Sequence, residues 1–184
     1  MISVNLSLCG SKGNGPMSLR LVIDGYNFIG QTSGLTPRLQ GDRDALIDRL
    51  SDYEKVKGIP VSVVFDGWKE GHASQTRAVE KGIEVIFSRQ GEKADQVIIR
   101  LIKSLRERAI VVSSDREIRD WAAREGAVSL TVREFQAKME EARRSADEDR
   151  EDDGEEGSFR KEKKGNANRL SKKERAKKIK LKKL

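Results

Sequence analysis

The chain has few of the residues that carry imidazole or thiolate chemistry. Among its 184 residues there is one cysteine, Cys9, and one histidine, His72. One cysteine allows neither an intramolecular disulfide nor a cysteine-rich zinc site, as is typical of proteins from a reducing compartment. One histidine excludes the pair of imidazoles that metal-independent ribonucleases commonly use as base and acid. If the chain is an enzyme, we therefore expect its nucleophile to be water activated by a metal ion.

Long apolar runs are also missing. No run approaches the ~18 residues that cross a bilayer, and residues 1–16 lack the basic start and apolar stretch of a signal peptide. We therefore expect a cytoplasmic protein. Residues 1–17 are interpreted as a flexible leader. Met17 is an alternative translation start, because the first core strand is predicted two residues later.

Charge is plentiful and unevenly placed. The formal net charge is +7, but residues 147–156 hold eight acids and one arginine, and residues 160–184 hold thirteen cations and two glutamates. Such segments cannot bury enough apolar surface to offset the chain entropy lost on folding. We predict a folded domain over 18–145, an acidic linker over 146–158 and a basic tail over 159–184, the charged C-terminal part being disordered.

The basic tail points to a polyanion as its partner. RNA is the expected partner, messenger or ribosomal, with the ribosome as a place of attachment and no membrane contact, since no aromatic anchor lies beyond Phe159. Two other interpretations stay open: the tail folds back on the acidic block, or it serves only solubility. Ser171 and Glu174 have the spacing of a capping box, but repulsion among the lysines is expected to fray any helix there.

Apolar runs alternate with helical periodicities between residues 19 and 142. This alternation predicts an α/β fold with a parallel sheet and right-handed crossovers. Asp42 is the predicted cap of the helix after a loop at 29–41, Ser113 or Ser114 the cap of a later helix, and Thr131 with Glu134 the capping box of the last one. A loop is predicted over 67–73, followed by a short helix that ends at residue 79. The predicted strands are 19–23, 61–65, 84–88, 109–113 and 127–130.

Three of these strands are followed by an aspartate: Asp24, Asp66 and Asp115. Open α/β sheets bind ligands at the carboxyl ends of their strands, so the three should converge at one edge. Asp95 joins them if the helix starting near residue 92 begins at that edge. Several carboxylates this close cannot all stay ionised unless a cation or protons intervene. Their hard oxygen ligands favour Mg²⁺ or Mn²⁺.

Polar neighbours complete the predicted site. Asn27 is placed to orient a water or contact a phosphate, and Ser113, Ser114 and Arg116 are further substrate-binding candidates beside Asp115. The structural alternative is that each aspartate merely caps a helix or forms a turn, as a lone aspartate after a strand usually does. The occurrence of three at equivalent places favours the site.

Four blocks resemble the YacP-like branch of the NYN domains, relatives of the PIN-domain ribonucleases. They are Leu21-Val-Ile-Asp-Gly-Tyr-Asn27, Val63-Val-Phe-Asp-Gly67, Gly91-Glu-Lys-Ala-Asp95 and Val111-Val-Ser-Ser-Asp-Arg116. The resemblance covers about residues 18–142 and leaves the charged tails out. It implies a PIN-like α/β/α fold with about five parallel strands in the order 3-2-1-4-5.

The same resemblance implies a metal-dependent RNA endonuclease whose products carry 5′-phosphate and 3′-hydroxyl ends. Its acidic set would be Asp24, Asp66, Asp95 and Asp115, serving as catalytic and metal-binding residues, with Asn27 as polar companion. The chain departs from the family pattern at Gln96, where a second acid is often found.

Two functions therefore compete. The first is a metal-dependent endoribonuclease, and the second is an RNA- or ribosome-binding adaptor that keeps the fold without catalysis, which Gln96 and the large tail favour. A phosphatase with an aspartate nucleophile is weaker, because Tyr26 occupies the place of the second aspartate that such sites use.

Overall fold

The computed structural model describes residues 18–32, 39–67, 74–151 and 172–184. The predicted leader, His72 and residues 152–171 of the linker and tail lie outside these ranges. The described strands are β1 Arg20–Asp24, β2 Val61–Phe65, β3 Thr76–Glu80, β4 Ile83–Phe87, β5 Ala109–Val112 and β6 Val128–Leu130. The described helices are α1 Gly25–Thr32, α2 Leu39–Lys57, α3 Ala94–Leu105, α4 Arg116–Arg124, α5 Val132–Glu151 and α6 Lys172–Lys183, with a 3-10 turn at Arg106–Arg108.

The strands form one sheet in the order β3-β4-β2-β1-β5-β6. All neighbouring pairs are parallel except β3 with β4. The five parallel strands have the predicted order 3-2-1-4-5, so the predicted α/β fold is confirmed. β1 lies in the middle, with Ile23 opposite Val63 of β2 and Val112 of β5.

β1 contains an unbroken apolar run because it lies at the centre of the sheet. Leu21, Val22 and Ile23 have no exposed surface, because successive side chains point to opposite faces and both faces are covered by helices. Leu21 and Ile23 pack with residues of α1, α2 and α5, whereas Val22 packs with α3 and α4. Full burial of each such side chain contributes roughly 1.5–3 kcal/mol to folding.

β3 replaces the short helix predicted through Val79. Its residues pair antiparallel with β4 and are mostly exposed, with Val79 74% accessible. The turn between the two strands contains Lys81 and Gly82, both with positive φ, as in a type I′ hairpin. An exposed edge strand needs no apolar alternation, so the hydrophobic pattern did not reveal it.

The segment that follows β1 also differs from the prediction. α1 follows β1 without a loop, so the predicted loop at 29–41 is wrong for 29–32 and 39–41, and 33–38 lie outside the described residues. α2 begins at Leu39, which places Asp42 in its first turn rather than at its cap. Acidic residues are favourable there because they face the positive end of the helix dipole.

The capping box that opens α5 is confirmed. The hydroxyl of Thr131 accepts a hydrogen bond from the Glu134 amide at 3.2 Å, and the Glu134 carboxylate accepts one from the Thr131 amide at 2.7 Å. α5 then continues through Glu151, beyond the expected domain boundary at residue 145. Ion pairs three residues apart, such as Arg143 with Glu140, support its exposed face.

The basic segment is helical where the structure describes it. Residues 172–183 form α6, at the place where any helix was expected to be frayed by repulsion among the lysines. Lysine and arginine favour helix, as the sequence suggested, and tertiary packing completes the stabilisation because Leu184 is only 2% exposed. Among the described helices, none is long and apolar enough to cross a membrane.

Candidate functional site

Asp24 is the most enclosed carboxylate of the predicted set. It is the last residue of β1 and is 7% exposed. Its Oδ1 accepts a hydrogen bond from the Asn27 amide at 3.2 Å, and its Oδ2 accepts one from the Ser113 hydroxyl at 3.3 Å. Burial raises the pKa of Asp24 to about 6, and the charges of Asp95 and Asp66 add to the rise, while the two hydrogen bonds oppose it.

Asp66 connects β2 to the start of α3. Its Oδ1 accepts a hydrogen bond from the Ala94 amide at 2.6 Å, which satisfies one of the free N–H groups at that helix terminus. The following residue must be glycine, because a Cβ on Gly67 would lie 1.7 Å from the carbonyl oxygen of Ser88. The Gly67 amide in turn donates to the Ser88 hydroxyl at 3.0 Å.

Asp95 lies in the first turn of α3, so that helix begins at the same edge as the aspartates, as the sequence analysis required. Burial raises the pKa of Asp95, and the negative charges of Asp115, Asp66 and Glu117 raise it further against the opposing charge of Lys93. Glu117 was not predicted to belong to this cluster. Its position two residues after Asp115, in the first turn of α4, was the available signal.

Asp115 caps α4, a role that the sequence analysis assigned to Ser113 or Ser114. Asp115 Oδ1 accepts hydrogen bonds from the amides of Glu117 at 2.6 Å and Ile118 at 3.4 Å. Ser113 is instead buried beneath the cap, where its hydroxyl accepts a hydrogen bond from the Asp115 amide at 3.1 Å. Asp66 and Asp115 thus both stabilise helix termini, which is the structural alternative for each of them.

Asn27 belongs to a polar network on the exposed side of Asp24. Its Oδ1 accepts hydrogen bonds from Gln31 Nε2 at 2.8 Å and from the Ser114 amide at 3.3 Å. Gln31 Nε2 also donates to the Ser114 hydroxyl at 2.7 Å. Gln31 was not predicted, because its place at i+4 from Asn27 appeared only once α1 replaced the expected loop. Arg116 does not join this network: its side chain is 96% exposed and lies 4.0 Å from Asp120.

The donor set suits a hard divalent cation, but its spacing does not provide a finished metal centre. The four aspartates offer only oxygen ligands, and burial together with neighbouring negative charges raises the pKa of Asp24 and Asp95. Within the described ranges, however, no three acidic, histidine or cysteine side chains lie close enough to share one ion.

The chain is similar to proteins from Bacillus subtilis. It is 32% identical over 132 residues to the uncharacterized protein YacP of strain 168. The aligned region covers 65% of this chain and 74% of that protein. The crystal structure of Rae1 (YacP) superposes with a TM-score of 0.58 at 30% identity, covering 73% of this chain and 80% of that one. A crystal structure of a Rae1 (YacP) mutant gives a TM-score of 0.60 at 28% identity, with 71% and 80% covered.

The family model for the YacP-like NYN domain matches residues 21–183. This match extends well past residue 142, so the charged segments that the sequence analysis left outside the resemblance lie inside the matched range. The architecture of the described residues, a mostly parallel sheet between helices, is the nuclease-like fold of these domains. The chain therefore belongs to the YacP-like NYN domain family.

Proposed function

We propose that the chain is a metal-dependent endoribonuclease. The observation that carries the proposal is the gathering of Asp24, Asp66, Asp95 and Asp115 at the carboxyl ends of β1, β2 and β5 and the start of α3. Burial raises the pKa of Asp24 and Asp95, and repulsion from the neighbouring aspartates raises both further. Carboxylates that are not easily all ionised at the same time form a site whose charged state a bound cation would stabilise.

The proposed cofactor is Mg²⁺ or Mn²⁺. When bound, such an ion lowers the pKa of water and offsets the charge that develops on the phosphate. The chain's own contribution is to hold the carboxylates in place. Asp24 is fixed by Asn27 and Ser113, while Asp66 and Asp115 are fixed by the helix termini that they cap. Such preorganised groups need little rearrangement during the reaction.

The proposed reaction is hydrolysis of an RNA phosphodiester. Water attacks phosphorus and the P–O3′ bond breaks, so that the phosphate stays on the 5′ end of the downstream product. The 3′ oxygen leaves and takes up a proton. Asn27 is the proposed phosphate contact: Gln31 and Ser114 hold its Oδ1, which leaves its Nδ2 as the donor it offers to a phosphate oxygen.

Messenger or ribosomal RNA is the proposed substrate, and the ribosome is a proposed place of attachment. The support is electrostatic: α6 contains eight lysine or arginine residues and one glutamate. Cations at this density displace counterions from a nucleic acid and give binding that weakens as salt rises.

A labelled-RNA assay tests this proposal. RNA incubated with the full chain and Mn²⁺ should be cleaved into 5′-phosphate and 3′-hydroxyl products, and EDTA should stop cleavage. Products with 2′,3′-cyclic phosphate ends, or cleavage that persists in EDTA, would contradict the proposal because they indicate attack by the RNA's own 2′-hydroxyl.

One set of observations favours a second candidate, an adaptor that binds RNA or ribosomes without cutting. Asp66 and Asp115 already serve as helix caps, and no three candidate ligands among the described residues converge on one point. RNA binding with no cleavage in either Mg²⁺ or Mn²⁺ would support the adaptor over the nuclease.

A further inference from the structure

α6 is attached to the folded domain by apolar contacts. Leu184 is 2% exposed and belongs to the hydrophobic cluster formed by α2, α5 and one face of the sheet, and Leu181 packs against the same cluster. The Tyr53 hydroxyl, on α2, donates a hydrogen bond to the carbonyl oxygen of Leu184 at 2.7 Å. The basic segment is therefore tied down at this end.

Residues 178–184, at the end of α6 and just beyond it, divide between two faces. Lys180 turns inward with Leu181 and Leu184, and its Nζ donates to the carbonyl oxygen of Glu107. Lys178 and Lys182, four residues apart and therefore on one side of the helix, are exposed. Docking through the apolar face thus leaves Lys178 and Lys182 directed to solvent.

The place of this helix is fixed by its partners. Glu107 belongs to the turn that immediately precedes β5, and Tyr53 lies near the end of α2, just before the connection to β2. Both partners lie at the amino ends of the parallel strands. The aspartates lie at the opposite, carboxyl ends of the same strands. Glu107 and Ser113 are six positions apart along the chain, so at ~3.3 Å per extended residue they lie at most about 20 Å apart.

We propose that α6 is a fixed cationic surface that binds RNA phosphates at the end of the sheet opposite to the carboxylates. The inference rests on the proposed function only in taking RNA as the ligand. A docked helix cannot sweep substrate into the site as a loose tether would. It assists only an RNA long enough to contact both ends, about six nucleotides or more at the ~3.4 Å rise of a stacked strand.

The experiment measures binding rather than cleavage, so it stays informative if the nuclease assignment fails. The full chain carrying Asp24→Asn is titrated with single-stranded RNAs of about four and about twenty nucleotides at several salt concentrations. The charge variant is Lys178→Ala/Lys182→Ala. Its matched control, Arg77→Ala/Arg133→Ala, removes the same charge from β3 and α5.

The charge variant should weaken binding of the long RNA, and its plot of log K against log salt should flatten by about 0.7 for each phosphate that is no longer neutralised. Binding of the short RNA should change much less, because four nucleotides contact few of the α6 cations and cannot also reach the carboxylate end, and the matched control should affect neither. Equal weakening on both RNAs would overturn the proposal. The proposal would also be overturned if the charge variant bound both RNAs as tightly as the parent, or if α6 bound anionic vesicles in place of RNA.

A second variant tests docking itself. Leu184→Asp should release α6 and allow its cations to reach a short RNA bound at the carboxylates, so the short RNA should gain affinity. Circular dichroism confirms that the domain stays folded. An undocked chain with the same dependence on RNA length as the parent would contradict the proposal, because the position of α6 would then be irrelevant.

Discussion

Ser113 donates its hydroxyl hydrogen to Asp24 at 3.3 Å, although 89 positions separate the two residues in the chain. The same hydroxyl oxygen accepts the Asp115 amide at 3.1 Å. One buried hydroxyl therefore links the carboxylate at the end of β1 with the cap of α4. This bond is one of the two that hold the pKa of Asp24 below the value that burial alone would impose.

Ser113→Ala should raise the pKa of Asp24 further, because the carboxylate loses a donor that favours its charged form. The lost hydrogen bonds should also cost about 1 kcal/mol of unfolding free energy. NMR titration of the Asp24 carboxyl measures the first effect. Ser104→Ala, at an exposed position of α3, is the control that should leave the titration unchanged.

The pKa of Asp24 predicts how stability depends on pH. The pKa rises from the ordinary aspartate value of 3.8 to about 6 in the folded protein, so between these values the folded state binds more protons than the unfolded state. The stabilising contribution of Asp24 to the free energy of unfolding is therefore fully present below about pH 4 and is lost as the pH rises toward and through 6. The loss is of the order of 3 kcal/mol.

Asp24→Asn should remove this pH dependence, because an amide does not titrate. The measurement is urea unfolding of both proteins between pH 4 and 7, and the quantity compared is the difference between their unfolding free energies. Groups that do not interact with Asp24 titrate equally in both proteins and cancel. A difference that does not vary with pH would show that Asp24 titrates normally.

Asp115 can be separated into a structural and a chemical role. Asp115→Ser keeps a good helix cap but removes the charge, whereas Asp115→Ala removes both. The alanine variant should lose about 1 kcal/mol of unfolding free energy and the serine variant much less. Both should lose cleavage and should bring the pKa of Asp95 down. A serine variant that still cleaves RNA would leave Asp115 with the capping role alone.

Gly67→Ala tests the close approach between the loops after β2 and β4. The added Cβ would meet the Ser88 carbonyl at 1.7 Å, so the backbone beside Asp66 must move. We expect a loss of about 3 kcal/mol. Gly41→Ala is the control: its Cβ meets nothing within 4 Å in α2, and the change should stabilise the protein by about 1 kcal/mol. Thermal unfolding compares the two, and equal stabilities would contradict the packing described here.

The sequence allowed good prediction of the elements with two covered faces. β1, β2 and β5 are mostly apolar because both of their faces are buried, and that pattern is readily recognised. β3 has no buried face and so leaves no such pattern. α1 was hidden because Asp24 and Gly25 resemble a turn, and the bond that caps the helix, from the Asn27 amide to Asp24, depends on the folded backbone.

The site was predictable in its carboxylates and less so in its companions. The ends of parallel strands converge by topology, which placed Asp24, Asp66 and Asp115 without any knowledge of side-chain contacts. Gln31 and Glu117 depend on where two helices begin, and helix boundaries are the least certain part of a sequence prediction. The burial of Leu184 could not be anticipated either, since its neighbours in sequence are lysines.

The central proposal is that the clustered carboxylates form the site at which metal-activated water hydrolyses RNA. The most direct measurement is the single-turnover rate of cleavage of a labelled RNA in Mn²⁺ by the wild-type chain, by Asp24→Asn and by Asp52→Asn, which removes an exposed acid from the far end of α2. We predict that Asp24→Asn abolishes cleavage while RNA binding persists, and that Asp52→Asn cleaves at the wild-type rate. Cleavage by a contaminant-free Asp24→Asn preparation at the wild-type rate would contradict the account.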